Sequence, residues 1–500
     1  MLRKGENLLY FLAILVATAI VLIALIYPTV TIAQSSFIDN LPADYTVFPG
    51  QLTMGKSCSC STGGISGAPP PPPPCNTNPC FGSSSTRYGW ITTDVADINS
   101  TYCIEKIQAD KGVPPCFQLD GDDALLISGN MSAVKELTYY SFTAYQSFTY
   151  DSRFSDNYAP TGASVNLGLN NTNLKMGGDG KYILILTASK NTLNVIKKAI
   201  RDSGAPEAII NTYLIPATMT NVGTSAYPDQ LSFLVRLTSQ TPEERQQVDA
   251  FVEQNSTTTK VAFIKGPGRN GDVTYDSLPK WEDELRANNV EYITGLNQKL
   301  RQLEQAVISR YVKEGYKFYA SLTENMSHGD ARYCSTNPTY CAYDSPDALY
   351  LTFPCSFSPS SIAELGCNIQ IGKDSDSIFV LLGVDHTLVA DKSLGSYFSY
   401  EAKPVAESQD GTFSFVGLHT QGSANPYLPA GEADNLYAVK IARSCGNEPY
   451  CASVPYLGET SENVGFNILG RVYLDKITGT APNPGNLIPA RLLWLTKNNS

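Results

Sequence analysis

Residues Leu8 to Ile26 read LLYFLAILVATAIVLIALI without a single charge, and Arg3 and Lys4 sit just before them. At about 1.5 Å rise per residue, such a run covers a hydrocarbon core of roughly 30 Å. The basic pair keeps the N-terminus in the cytoplasm and places everything after Tyr27 outside. The expectation is a cytoplasmic tail over 1–7, a single-pass transmembrane helix over 8–27 as anchor, and an extracellular remainder at the cell membrane.

Two other readings compete for this segment. A cleaved secretory signal would use Thr31 and Ala33 as its small-residue exit, although its apolar region is shorter, about 7 to 15 residues. Arg3, Lys4 and Gly5, followed by Glu6 and an apolar helix, resemble the processing site of type IV pilin-like proteins; here the acidic residue adjoins the glycine instead of lying several positions into the helix.

The chain has 500 residues, 42% of them hydrophobic, with 29 Tyr and 19 Phe, enough for more than one core. Its net charge of -11 argues against a nucleic-acid partner, which needs a basic face. The 12 cysteines fall into neighbours in sequence: Cys58, Cys60, Cys75 and Cys80, then Cys103 with Cys116, Cys334 with Cys341, Cys355 with Cys367, and Cys445 with Cys451. Outside a membrane, thiols this close become short disulfide staples. Zinc would want Cys-x-x-Cys pairs or Cys/His sets at ligand spacing, and neither occurs. No cofactor is implied. Sequons at Asn99, Asn130, Asn170, Asn255, Asn325 and Asn498 permit glycosylation without arguing for it.

Residues 28–85 are nearly uncharged and rich in Ser, Gly and Pro, with a polyproline run from Pro69 to Pro74, and read as a stalk. An α+β domain is expected over 86–275. Strand-like runs cover Gly89–Val95 and Ala124–Ser128. Tyr139–Tyr150 then alternates an apolar face with a hydroxyl-bearing one (Tyr139, Ser141, Thr143, Tyr145), the pattern of a half-exposed antiparallel strand.

From 181 to 265 the signals run in the order β-α-β-β-α-β. Tyr182–Ala188 is a strand, Asn191 or Thr192 caps a helix closed by Gly204, and Ile209–Ile215 and Leu231–Leu237 are strands. Thr241, Pro242 and Glu244 form a capping box, and Lys260–Lys265 closes the unit. This is the order of the split βαβ, ferredoxin-like plait. A helical connector is expected over 276–316, around Trp281 and Leu285 and then Ile293, Leu296, Leu300, Leu303 and Val307, an amphipathic helix lying on its own domain. From 317 to 500, short strands broken by turn residues predict a β-rich antiparallel region stapled by disulfides.

Candidate chemistry is sparse. The three histidines are His328, His386 and His419, and His386 with Asp385 is the best pair for a general base. His386 also shares strand parity with Ile378, Val380, Leu382 and Val384, which makes it the hydrogen-bonded end of a buried strand. Neither G-x-S-x-G nor H-E-x-x-H is present. Asp120, Asp122 and Asp123 are calcium candidates, as are Asp374 and Asp376, without the remaining ligands of an EF-hand loop. Gly266, Gly268 and Gly271 spell a dinucleotide fingerprint that Pro267 and the lack of a following helix reduce to a turn. Tyr139 and Tyr145 could stack on sugar rings, with cross-strand packing as the alternative. The balance favours a membrane-anchored surface protein with a binding or structural role toward a glycan or protein ligand; the rival is an extracellular hydrolase using His386 and Asp385.

Overall fold

The computed structural model describes residues 37–54, 86–93, 115–153, 158–216, 220–222, 227–268, 290–327, 344–353, 369–372, 377–389, 394–404, 413–416, 420–443, 445–453 and 463–497. The expected tail and anchor, the polyproline run, Trp281, Leu285, His328, His419, Asp374, Asp376 and all cysteines other than Cys116, Cys445 and Cys451 lie outside these residues. Among the described residues no helix is long and apolar enough to cross a membrane.

The chain is a mixed α+β protein dominated by large antiparallel sheets. Its first half contains β1 (Thr46–Met54), β2 (Thr86–Thr92), β3 (Ala124–Asn130), β4 (Tyr139–Tyr150), β5 (Tyr158–Ser164), β6 (Leu169–Asn170) and β7 (Lys181–Thr187). Helix α1 (Lys190–Asp202) follows, then β8 (Ile210–Leu214), β9 (Gln230–Thr238), α2 (Pro242–Thr258) and β10 (Lys260–Lys265). The strands form a ten-stranded sheet in the order β5-β4-β9-β2-β1-β10-β3-β7-β8, with β6 beside β4.

Strand β1 is the joint of this sheet. Thr46 to Gly50 pair with β10, and Gln51 to Met54 pair with β2, so the partner changes just after Pro49 and Gly50. Proline has no N–H to give a ladder, and glycine leaves room: a Cβ at Gly50 would lie 2.8 Å from both Phe263 and Val261. Residues 37–54 fall within the predicted 28–85 stalk, yet they are built into the fold, with Phe37 and Leu52 buried. Low charge looked like a spacer there, while the Phe48/Leu52 alternation against the neighbouring strands decided otherwise.

The elements of residues 181–265 occur in the predicted order, but their pairing is not that of a ferredoxin-like plait. In the plait the first strand is flanked by the third and fourth. Here β7 has β3 on one side and β8, in parallel, on the other. Strand β3, which lies before the expected unit, occupies the position that β9 or β10 would need. Strand β10 therefore pairs with β3 and β1, while β9 lies between β4 and β2.

Local signals fared better. Ser189, rather than Asn191 or Thr192, caps α1 by accepting from the Thr192 N–H at 3.1 Å. Gly204 closes that helix at φ +88°. The Thr241/Glu244 capping box opens α2 as expected. Helix α1 packs Leu193, Ile196 and Ile200 on one side of the sheet, against Ala124, Leu126, Ile183 and Ile185. The opposite side encloses Leu125, Ile127, Leu184, Phe142, Phe233 and Val235 together with Val248 and Phe251 of α2.

The second half begins with α3 (Leu296–Lys313). It continues with β11 (Tyr316–Thr323), β12 (Asn325–Ser327), β13 (Ala348–Thr352), β14 (Ile369–Gly372), β15 (Ser377–Val384) and β16 (Tyr397–Pro404). Strands β17 (Phe413–Val416), β18 (Leu436–Ala442), β19 (Cys451–Ser453), β20 (Asn463–Tyr473) and β21 (Arg491–Lys497) complete it. One sheet runs β11-β21-β15-β18-β19, the other β12-β13-β20-β16-β17 with β14 beside β20. Residues of both sheets, among them Phe379, Leu381, Val439 and Leu492 with Leu351, Phe398, Ile468 and Val472, share one core. This is sheet-on-sheet packing. Helix α3 lays Leu296, Leu300, Leu303 and Val307 on the outer face of the first sheet, against Ile378, Val380, Leu493 and Leu495. Its seam therefore serves its own β-rich half.

Candidate functional site

The turn after β15 carries the only His–Asp pair among the candidates, and the structure gives each residue a different partner. The Asp385 Oδ1 accepts from the Thr387 N–H at 3.0 Å and from its hydroxyl at 2.5 Å, an Asx turn that ends the strand. His386 turns away, and its Nδ1 lies 2.7 Å from Glu291 Oε1. Ring and carboxylate are both enclosed: His386 is 1% exposed and Glu291 0%. Asp385 is thus not the orienting carboxylate that a His–Asp base would use.

Glu291 arrives from the loop before α3. Its second oxygen, Oε2, accepts the Ile488 N–H at 2.6 Å. A second buried carboxylate, Glu324 at the end of β11, works alongside. Its Oε1 accepts from the Tyr400 hydroxyl at 2.7 Å and its Oε2 from the Ala490 N–H at 3.1 Å. The Tyr437 hydroxyl donates onward to Tyr400 at 3.1 Å. Gly383 makes room for that ring, since a Cβ there would run into the Tyr437 oxygen.

Burial pushes Glu324 up to about 7, against the hydrogen bonds from Tyr400 and Ala490. Burial likewise raises Asp385 over the opposing bonds from Thr387. For His386 burial disfavours the charged ring, but Glu291, Glu324 and Asp385 together outweigh it and the net shift is upward. The arrangement can store a proton. Glu291, Glu324, Asp385, His386, Tyr400 and Tyr437 are all buried.

Sequence reasoning missed both glutamates. Glu324 had a signal: after the bulge between Phe318 and Ala320, Ala320, Leu322 and Glu324 share a face, so a carboxylate continues an apolar alternation. Glu291 had none beyond a lone charge beside Val290.

The hydroxyl-bearing face of β4 is covered as well. The expected half-exposed strand is buried along Tyr139 to Phe148: Tyr139 packs with Ala348, Tyr397 and Tyr473 of the second half, and Ser147 meets Ser232, whose hydroxyl donates to the Pro115 carbonyl. The Tyr139 hydroxyl donates to Asp347 Oδ2 at 3.0 Å, and its ring packs 4.5 Å from that of Tyr473. Arg236 sits 5.3 Å from the Tyr145 ring centre and 5.9 Å from that of Tyr88. Asn170 donates to the Gly479 carbonyl at 2.9 Å across the same seam. Burial lifts Asp347 to about 6, opposed by hydrogen bonds from Asn170 and Tyr139 and by the Arg236 charge. Tyr139 and Tyr145, both 0% exposed, are therefore cross-strand and seam residues and not a sugar-stacking platform.

The calcium candidates tie a turn. Asp123 accepts the Asp120 N–H through Oδ2 and the Gly266 N–H through Oδ1, each at 2.9 Å. Asp120 lies 3.8 Å from the Lys265 ammonium, and Asp122 is buried. Both Asp123 oxygens are thus committed to backbone, which is also how Gly266 enters its turn. Of the cysteines, Cys445 and Cys451 form a disulfide with Cα atoms 5.5 Å apart, and Cys116 is disulfide-bonded. Two sequon asparagines are interior: Asn170 on Gly479, and Asn255, whose amide donates to the Leu52 carbonyl at 2.7 Å.

No family model matches the chain, and no curated protein matches it. Among solved structures it is similar to an uncharacterised protein of Burkholderia cenocepacia, at 12% identity and a TM-score of 0.35, over 83% of this chain and 77% of that one. It is also similar to a protein of Vibrio parahaemolyticus, at 10% identity and a TM-score of 0.33, over 75% of this chain and 86% of that one.

Proposed function

We propose that the chain is a single-pass, membrane-anchored ectodomain with a non-catalytic binding or structural role at the cell surface. The observation that carries the non-catalytic reading is the enclosure of His386: its Nδ1 is held by Glu291, whose other oxygen takes the Ile488 N–H, while Glu324 accepts from the Tyr400 hydroxyl and the Ala490 N–H. A general base must reach a substrate proton within hydrogen-bond distance or through one water. The uncharged run from Leu8 to Ile26 supports the anchor, and the Cys445–Cys451 bridge fits an oxidising compartment. Only residues 28–36 separate that anchor from the first described residues in sequence, and residues 55–85, with the polyproline run, connect β1 to β2. With Tyr139 and Tyr145 enclosed, a glycan or protein ligand would meet other residues.

Protease added to intact cells tests the topology. Digestion of nearly all the chain, with an N-terminal tag left in a carbonate-resistant membrane fraction, supports the reading, and protection of the bulk refutes it. For the hydrolase alternative, His386→Ala distinguishes the classes. A structural His386 gives a lower melting temperature with unchanged ligand binding, whereas a catalytic one gives an unaltered melting curve and loss of a measurable hydrolytic activity by a factor of about 10² to 10⁴.

A further inference from the structure

Both buried glutamates of the β-rich half grip one short stretch of backbone. Glu291 takes the Ile488 N–H and Glu324 the Ala490 N–H, while the Val290 and Glu291 amides donate to the side chain and carbonyl of Asn486. That stretch leads into β21, which lies between β11 and β15. We propose that Glu291, Glu324, Asp385, His386, Tyr400 and Tyr437 form a pH-sensitive latch that holds residues 486–490 in place in mild acid and loosens them in mild alkali.

These six groups face one another from the loop before α3, the end of β11, the turn after β15, and strands β16 and β18. Arg491, next in sequence to Ala490, is the nearby cation in sequence, and its guanidinium donates to the Thr323 hydroxyl. On the acid side, a protonated His386 balances Glu291, and Glu324 can hold a proton. On the alkaline side, three carboxylates share an enclosed space with a neutral imidazole. Like charges in a low-dielectric interior repel strongly, and the anchor points they would push apart are the two carboxylates on Ile488 and Ala490. The raised affinities of Glu324 and His386 for protons place the change near neutrality and above, not in the acid range of ordinary surface carboxylates.

Hydrogen exchange read by mass spectrometry on the full-length chain tests this. After correction for the intrinsic pH dependence of exchange, peptides covering 486–490 should lose protection by about tenfold or more between pH 6.5 and 8.5, while peptides of β3 and β7 in the other half hold theirs. In Glu324→Gln the loss should be smaller, because one titrating charge is gone. Exchange of the imidazole carbon-bound hydrogen of His386 on the wild-type chain should give a midpoint above 6.5. Unchanged or rising protection at 486–490, or a His386 midpoint below 6.5, overturns the latch even if the variant fails to fold.

Discussion

Replacing Asp347 with Asn should leave the protein more stable at pH 8 and remove part of its gain in stability on acidification. Asp347 is fully buried in the seam between the two halves, and the structure raises it from 3.8 to about 6. A carboxylate raised on folding binds its proton more tightly in the native state. Its contribution to stability is therefore present in acid and is lost as pH rises through about 6. The shift of about two units, at about 1.4 kcal/mol each, corresponds to about 3 kcal/mol between the fully protonated and fully ionised limits. Linkage over the window from pH 8 to pH 5 gives about 1 to 1.5 kcal/mol of that. The substituted amide would keep an oxygen to accept from Tyr139 and would lack the charge, mimicking the protonated acid. Urea unfolding of wild type and Asp347→Asn at both pH values yields the double difference, in which Glu324 and the other titrating groups cancel. A variant destabilised by several kcal/mol at pH 8 would show that ionised Asp347 is an asset beside Arg236, and would refute the reasoning.

Other consequences follow from single contacts. Leu303→Ala in α3, at a site of 0% exposure, should cost about 2 to 5 kcal/mol and lower the melting temperature of the β-rich half. Glu244→Ala should cost about 1 to 2 kcal/mol in chemical denaturation, since its carboxylate caps α2 and also takes the Thr138 N–H and hydroxyl at 2.9 and 2.6 Å; no measurable change would remove that role. Cutting the Cys445–Cys451 link by Cys→Ser at both positions should lower stability by about 2 kcal/mol relative to the oxidised wild type, as expected for a short loop, and that difference should shrink when both proteins are reduced. Gly383→Ala should drive a methyl into Tyr437 and lower the melting temperature, while Gly204→Ala, where the added carbon meets nothing within 4 Å, should cost only the strain of its positive φ.

Capping and alternation were legible along the chain because both are local. Thr241-Pro242 and Glu244 declare a helix start within a few residues, and Lys260–Lys265 and Tyr139–Tyr150 declare strands by composition alone. Burial on the second face of β4 was not legible. Tyr, Ser and Thr on one face suit solvent as well as they suit a hydrogen-bonded seam, and only Asp347, 208 residues away from Tyr139 in sequence, decides between them. The candidate site shows the same limit: strand parity puts His386 at the buried end of β15, yet its partner Glu291 is 95 residues distant and carries no periodic signature.

The sequence by itself determined which segments become strand or helix through most of the described chain, the capping of α2, and the acidic net charge. Those properties depend on side-chain period, turn chemistry and net charge, which are properties of neighbours. The pairing of β7 with β3 and β8 in place of a plait, the incorporation of residues 46–54 as the joint of the first sheet, and the closing of acid and histidine groups into the interior were decided by tertiary structure. Which strand edge is filled first, and which polar face finds a partner across the seam, depends on segments far apart in the chain, and local pattern carries no record of that distance.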